Sequence, residues 1–278
     1  MRSKLEMNQL IKTYIETLGL KEFKTNEAFW NHLESRHDES ILDRLDDAFI
    51  AQIDGTDEEA VYRVKNETLA LSLDVSNYST NLYANYFKWY VPPTMAADKE
   101  IPRKILDIGC DNGIVTCFYG LLFPQSIVIG IDIQENSLKC ANALKEKLNL
   151  KNVSFLKLDV KEIGHYFPSH PFDLITSVRS FHEIIGFPEP PEVDSRDELL
   201  KMNVIYDEHN LVALIKNALN GEKSEFITTE RLVDEDALFL WEKALEKAKL
   251  NIKNSGYIEF HELGVEQHMP ILVTKKCD

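Results

Sequence analysis

Acidic and polar residues follow the candidate strands of this sequence, at places where a bound ligand could meet them. The first such strand, 104–108, runs into a turn that contains Gly109, Asp111 and Gly113, and a helical pattern follows. Glycines in such a turn let the backbone approach a ligand, and the N-terminus of the next helix offers free N–H groups. A nucleotide-type ligand is one interpretation of this segment, and a plain strand-to-helix turn is the other.

The spacing of the glycines argues against a dinucleotide. The dinucleotide fingerprint G-x-G-x-x-G requires a glycine where this turn has Asp111. A pyrophosphate would meet the negative charge of that carboxylate, whereas a ligand with a cationic amine and a sulfonium would tolerate it. The turn therefore favours a cationic nucleoside ligand.

Polar residues also close the next three strands. Asp132 ends the second strand, about 20 residues beyond the glycine turn, where a carboxylate can accept from both hydroxyls of an adenosine ribose. Asp159 follows the third strand, and Ser177 and Val178 end the fourth. Because the carboxyl ends of parallel strands meet at one edge of a sheet, we expect these residues to form one site.

Further candidates could act on a substrate at that edge. His182 is the best candidate for a general base because imidazole changes protonation near neutral pH, and a packing role is the alternative. Glu183 is a weaker candidate, and Arg179 could anchor a substrate carboxylate. Tyr83 and Tyr86 lie in an aromatic-rich stretch, where they would either surround the substrate or pack against the sheet.

Helical periodicity dominates residues 1–98, which we predict to form an N-terminal helical cap or lid. A capping-box pattern that begins at Thr56 predicts a helix through about Leu73. Pro92 and Pro93 predict that the last of these helices ends before them, with the domain boundary just beyond.

Residues 99–278 alternate β-branched runs with helical patterns, which predicts parallel βαβ units with helices on both faces of a sheet. The last two strands are separated only by 264–268, too short for a parallel crossover, so they must pair antiparallel. A proline-rich segment, 186–205, is a predicted lid. The candidate strands are 104–108, 126–131, 153–158, 172–178, 224–229, 256–263 and 269–275.

Composition narrows the class of protein. Hydrophobic residues make up 44% and charged residues 28%, no apolar run approaches the ~20 residues of a membrane helix, and no signal peptide is recognisable. We therefore expect a cytoplasmic protein. A net charge of −15 without a basic stripe makes nucleic acid an improbable partner. The four cysteines lack the spacing of a metal site.

With these motifs in place, residues 100–278 resemble the class I S-adenosylmethionine-dependent methyltransferases, with the strands in the order of that family. The resemblance implies a Rossmann-like, mostly parallel seven-stranded sheet with a C-terminal antiparallel hairpin. It also implies S-adenosyl-L-methionine as the cofactor and S-adenosyl-L-homocysteine as the product.

The resemblance further assigns parts of the cofactor to segments of the chain. The glycine turn would wrap its amino-acid part, Asp132 would hold the ribose, Asp159 would meet the adenine, and the segment from Ser177 to His182 would line the methyl-transfer site. The predicted cofactor-binding residues are Asp107, Gly109, Cys110, Asp111, Gly113, Asp132, Ile133, Asp159, Val160, Ser177 and Val178.

The acceptor is predicted to be a small molecule, because the chain is acidic and helices precede the sheet. Three alternatives stay open: a methyltransferase that acts on tRNA or protein, a nicotinamide-dependent oxidoreductase, and a non-catalytic cofactor-binding relative. The helical cap could also form the interface of a homodimer.

Overall fold

The computed structural model describes residues 3–94, 101–169, 171–186, 190, 195–201 and 210–277. Seven strands form one sheet in the order β3-β2-β1-β4-β5-β7-β6. Strands β1 to β5 are parallel, and β7 is antiparallel to both β5 and β6. The predicted fold class is thereby confirmed. The strands are β1 (Lys104–Ile108), β2 (Ile127–Asp132), β3 (Val153–Lys157), β4 (Leu174–Val178), β5 (Glu225–Thr229), β6 (Leu250–Glu262) and β7 (Val265–Lys276).

Helices cover both faces of this sheet. The helices before the sheet are α1 (Lys4–Leu18), α2 (Asn26–Glu34), α3 (Glu39–Ile53), α4 (Ala60–Lys65), α5 (Leu69–Ser76) and α6 (Thr80–Thr94). Those within or after it are α7 (Ile114–Leu122), α8 (Glu135–Lys147), α9 (Ile163–Tyr166), α10 (Phe181–Ile185), α11 (Arg196–Lys201), α12 (Leu211–Ala218) and α13 (Glu235–Lys247).

Two hydrophobic cores lie on the two faces of the sheet, because alternate strand residues point to opposite sides. Buried residues of α1, α6, α7 and α8 join one face, which includes Ile105 of β1. Buried residues of α9, α12 and α13 join the other face, which includes Leu106. A third, smaller core lies within the N-terminal region, among α2, α3 and α5.

The N-terminal helices pack directly on the sheet's own helices. Phe87 of α6 stacks on Phe118 of α7 with ring centroids 3.8 Å apart. The buried hydroxyl of Tyr14, on α1, donates to the carbonyl of Ile114 at 2.6 Å. Apolar burial therefore fixes the position of α1 and α6 relative to the glycine turn that precedes α7.

Two predicted helix boundaries in the N-terminal region are wrong. Helix α6 continues through Pro92 and Pro93 to Thr94, because the φ of proline suits a helix and the hydrogen bonds that the two prolines lack fall in the last turn, where the helix ends. The helix predicted from Thr56 to about Leu73 is two helices, α4 and α5. The break occurs because Thr68 begins the second helix, and its hydroxyl accepts from Leu71 N at 3.2 Å.

Among the described residues, no helix is long and apolar enough to cross a membrane. Of the predicted lid 186–205, the structure describes residue 186, residue 190 and 195–201, the last including α11; the rest lies outside the described residues.

Candidate functional site

The glycine turn after β1 adopts a backbone conformation that depends on its sequence. Gly109, Asp111 and Gly113 have φ values of 65°, 46° and 81°, in the left-handed region that glycine enters without strain. A Cβ on Gly109 would lie 2.4 Å from the Cβ of Ser180, and one on Gly113 would lie 2.8 Å from Phe155 Cζ. The glycines therefore let the turn lie against the ends of β4 and β3.

Three carboxylates meet around this turn. Asp107 is buried and accepts from the hydroxyl of Thr116 at 2.5 Å. Burial raises the pKa of Asp107 to about 7, and the negative charge of Asp132 adds to the shift. Burial and the charge of Asp111 likewise raise the pKa of Asp132 to about 6. A cationic ligand would relieve this accumulation of negative charge.

Residues of the N-terminal helices hold the third carboxylate, Asp111. Its two oxygens accept from Lys65 Nζ and from Asn66 Nδ2, each at 2.7 Å. The neighbouring Asn112 is fully buried and donates to the hydroxyls of Ser72 and Ser76, at 2.8 Å each. The region of α4 and α5 is thus joined to the glycine turn by buried polar contacts.

Asp132 lies at the end of β2, where it was predicted. Its carboxylate accepts from Asp111 N at 2.9 Å and from Gln134 N at 2.8 Å, which joins it to the glycine turn. The adjacent Ile133 side chain is 49% exposed, so an apolar surface lies beside the carboxylate. A carboxylate has lone pairs beyond these two contacts, so it can still accept from ligand hydroxyls.

The other predicted residues differ in exposure. Asp159 is exposed, and its Oδ1 accepts from Lys161 N at 2.9 Å in a 3-10 turn. Val160 is buried beneath this turn, and Cys110 is also buried. Burial raises the pKa of the Cys110 thiol well above its ordinary value. Cys110 and Val160 therefore contribute packing, while Asp159 is open to a ligand.

The end of β4 carries a buried hydrogen-bond cluster. Ser177 is fully buried. Its hydroxyl lies 2.6 Å from the hydroxyl of Ser180 and donates to Glu230 Oε1 at 2.9 Å. Val178, which follows it, is partly buried against the core of α1, α6, α7 and α8. His182 is the second residue of the short helix α10, and its Nδ1 lies 3.0 Å from Glu230 Oε2.

Glu183 contacts the N-terminal helices. Its Oε1 accepts from the hydroxyl of Tyr62, on α4, at 2.5 Å and lies 3.9 Å from His182 Nε2. Burial and the charge of Glu183 raise the pKa of Tyr62 well above its ordinary value. The hydroxyl of Tyr62 therefore stays protonated near neutral pH and continues to donate to Glu183.

Arg179 is engaged by protein groups. With φ of 57°, it follows β4 and donates through Nη1 to Ser79 Oγ at 3.0 Å and to Glu262 Oε1 at 2.6 Å. Arg231 donates to the other oxygen of Glu262 at 3.2 Å. An Arg179 contact to a substrate carboxylate, as predicted, would have to share the guanidinium with Glu262.

The two predicted tyrosines have different environments. Tyr86 is fully buried in the core, and its hydroxyl lies 2.7 Å from the hydroxyls of both Tyr119 and Thr176. Tyr83 is only partly buried. Burial raises the pKa of Tyr83, and the negative charge of Asp111 adds to the shift, so its hydroxyl stays protonated near neutral pH.

This arrangement agrees with a family comparison. Residues 102–278 match the family described as "Methyltransferase domain". The chain belongs to this methyltransferase family. The match covers more than half of the chain and includes the whole sheet, so the resemblance inferred from the motifs is confirmed.

The relatives of this methyltransferase include a release factor glutamine methyltransferase of Buchnera aphidicola subsp. Schizaphis graminum, 27% identical over 64% of this chain and 57% of the relative. Another, from Thermodesulfovibrio yellowstonii, is 29% identical over 59% of this chain and 48% of the relative. The chain thus spans about half the length of these relatives.

A solved structure shares the fold over most of the chain. The CurJ carbon methyltransferase superposes with a TM-score of 0.56 at 14% sequence identity, covering 90% of this chain and 71% of that one. Coverage of 90% extends into the N-terminal helices, so the shared fold is larger than the sheet and its own helices.

Sequence reasoning did not single out Tyr62, Lys65 and Glu230, which contact the predicted residues Glu183, Asp111 and His182. Glu230 directly follows β5, so the rule that identified Asp132, an acid at the carboxyl end of a parallel strand, could have found it. Tyr62 and Lys65 lie far along the chain from their partners and carry no local signal.

The burial of Tyr86 allows a test of its role. We expect Tyr86→Phe to lower the free energy of unfolding by about 1–3 kcal/mol, because Tyr119 and Thr176 each lose a buried partner. Denaturant titration would measure the loss, with Tyr257→Phe, at a half-exposed position, as the control. Unchanged stability with weakened ligand binding would instead place Tyr86 in the ligand site.

Proposed function

We propose that this methyltransferase transfers the methyl group of S-adenosyl-L-methionine to a small-molecule acceptor. One observation carries the acceptor class: a single short helix and the residue after it reach both parts of the site. Lys65 and Asn66 contact Asp111 at the glycine turn, and Tyr62 contacts Glu183 beside His182. These contacts support our assignment of residues 1–98 as a cap on the domain of residues 99–278, and a capped site suits a small acceptor.

The groups around the glycine turn fit this cofactor chemically. Besides burial, the charge of Asp132 raises the pKa of Asp107 and the charge of Asp111 raises the pKa of Asp132, so a ligand with a sulfonium and an amine is favoured there. Asp132 can accept from ribose hydroxyls, and the exposed Ile133 offers an apolar surface to a purine ring. When bound, the cofactor supplies a methyl group that its sulfonium already activates.

Given that activation, the protein has to position the acceptor and exclude water. Holding two reactants in line can supply ~7–11 kcal/mol of the barrier. Tyr83, which is only partly buried, and Glu183, beside His182, are suited to contact the acceptor. His182 is the residue that we assign to take a proton from an acceptor that arrives protonated.

A protein acceptor is the second candidate, and the names of the two curated relatives favour it. The match, at 27% and 29% identity, covers 57% and 48% of these relatives, so the rest of each relative is not compared with this chain. The net charge of −15 gives no support to nucleic acid as the acceptor. We propose the cytoplasm as the site of the reaction, and a homodimer through the N-terminal helices stays a prediction.

Calorimetry and isotope labelling would test the proposal. We expect the purified protein to bind S-adenosylmethionine and S-adenosylhomocysteine at micromolar concentration and not to bind NADH. With methyl-labelled cofactor and a cell extract separated by size, we expect the label in the small-molecule fraction.

Each other result has a defined meaning. Label in the protein fraction would establish the second candidate in place of the first. Binding of the cofactor without transfer to either fraction would indicate a non-catalytic relative. Absence of cofactor binding would refute the proposed function.

A further inference from the structure

Glu230 is a buried carboxylate that sequence reasoning did not assign. It follows β5, its side chain is only 1% exposed, and both of its oxygens are in contact with donors. Oε1 accepts from the hydroxyls of Ser177 at 2.9 Å and Thr228 at 2.8 Å. Oε2 accepts from the backbone N–H groups of Phe181 and His182, at 3.0 and 3.3 Å, and lies 3.0 Å from His182 Nδ1. The burial cost of a carboxylate is offset only by such multiple contacts.

This contact selects one form of the His182 ring. A carboxylate offers only lone pairs, so Nδ1 must carry the hydrogen in the contact with Glu230. In the neutral ring Nε2 is then the unprotonated nitrogen. The side chain of His182 is 19% exposed, so the ring is not fully enclosed by protein.

The second carboxylate near the ring, that of Glu183, makes no hydrogen bond to the imidazole of His182. Glu183, the next residue of α10, has Oε1 at 3.9 Å from Nε2, beyond hydrogen-bond distance. That oxygen already accepts from the Tyr62 hydroxyl of α4 at 2.5 Å. Among the described residues, Glu230 therefore makes the short acidic contact to the ring.

We propose that Glu230 is a positioning residue that holds His182 with hydrogen on Nδ1, so that Nε2 accepts a proton from an acceptor hydroxyl or N–H group. This inference rests on the proposed function and narrows its acceptor to molecules whose nucleophilic atom carries a proton. The acceptor atom forms the bond to the methyl carbon, and the electron pair of the carbon–sulfur bond stays on sulfur. The acceptor proton moves to Nε2, and Glu230 stabilises the resulting imidazolium.

A purely structural role for Glu230 predicts different results, because the carboxylate also joins β4, β5 and the first turn of α10. Thr228→Val is a matched control, since it removes a donor to Oε1 and leaves the contact between Oε2 and His182. Glu230→Leu keeps much of the bulk and removes the group that accepts from Nδ1. Glu230→Gln removes the negative charge but keeps an amide oxygen toward Nδ1, because Phe181 N and His182 N donate at the same position.

Nitrogen-15 NMR of the histidine-labelled protein reports the tautomer without an acceptor. We expect the wild type and Thr228→Val to show neutral His182 with hydrogen on Nδ1, and Glu230→Leu to shift hydrogen toward Nε2. His182→Gln assigns the signal. The opposite tautomer in the wild type, or an unchanged tautomer in Glu230→Leu, would overturn the proposal.

Turnover of the acceptor found by labelling supplies the second measurement. We expect Glu230→Gln to lower kcat by about 10²-fold, with KM within about threefold, and Thr228→Val to lose only stability. Equal kcat in Glu230→Gln and wild type would contradict the positioning role. If the nucleophilic atom of the acceptor found by labelling carries no proton, the proposed proton transfer to His182 Nε2 is refuted. Failure of cofactor binding, with the tautomer as expected, would refute the proposed function alone.

Discussion

Replacing His182 with alanine is expected to lower kcat by about 10²- to 10⁴-fold and to change the affinity for S-adenosylmethionine by less than about twofold. The loss follows from removing the group that takes the acceptor proton. The affinity should persist because the contacts of His182 are to Glu230 and Glu183, while Asp107, Asp111 and Asp132 surround the glycine turn. Calorimetry and initial rates on the same preparations would separate the two effects.

His165→Ala is the matched control, since His165 is exposed on α9 and should be dispensable. Added imidazole provides a further check, because it should partly restore turnover if the missing function is proton transfer. Full activity in His182→Ala would show that no base is needed or that another residue supplies it.

The residues at the strand ends were predictable because their positions follow from local patterns. Asp107, Asp132 and Ser177 each follow or end a β-branched run, and parallel strands bring such positions to one edge. The strand register shows this directly, because Ile108 of β1 lies beside both Ile131 of β2 and Ser177 of β4. Ile108 is one residue before the glycine turn, and Ile131 is one residue before Asp132. The same rule extended to β5 gives Glu230, which was overlooked.

The contribution of the N-terminal helices was not predictable in the same way. Lys65 and Asn66 contact Asp111 across more than 40 residues of chain. No periodicity or spacing in the sequence predicts such a long-range contact. It depends on how α1 and α6 pack on the sheet, through contacts such as that between Phe87 and Phe118. Tyr86 illustrates the same limit, since its aromatic character fitted both a ligand site and the core, and tertiary packing decided.

Asp132→Ala is expected to weaken the binding of S-adenosylmethionine and S-adenosylhomocysteine at least tenfold, or at least about 1.4 kcal/mol. Both ligands should be affected because the ribose, which Asp132 is assigned to hold, is common to them. The carboxylate also accepts from the backbone of Asp111 and Gln134, so its removal loosens the glycine turn as well. Glu135→Ala, at the exposed start of α8, should leave calorimetric affinity unchanged.

The pH dependence of wild-type binding checks the same assignment. Because the pKa of Asp132 is raised to about 6, protons compete with the ligand below that pH. Asp132 alone should therefore lower the affinity roughly tenfold from pH 7 to pH 5, because its ionised fraction falls by about that factor. In Asp132→Ala the slope should become shallower, with Asp107, whose pKa is raised to about 7, supplying the remainder. If Asp132→Ala binds S-adenosylmethionine as tightly as the wild type, or if the wild-type affinity does not change with pH, Asp132 does not hold the ribose. Asp107 and Asp111 would then be the carboxylates that attract the cationic ligand.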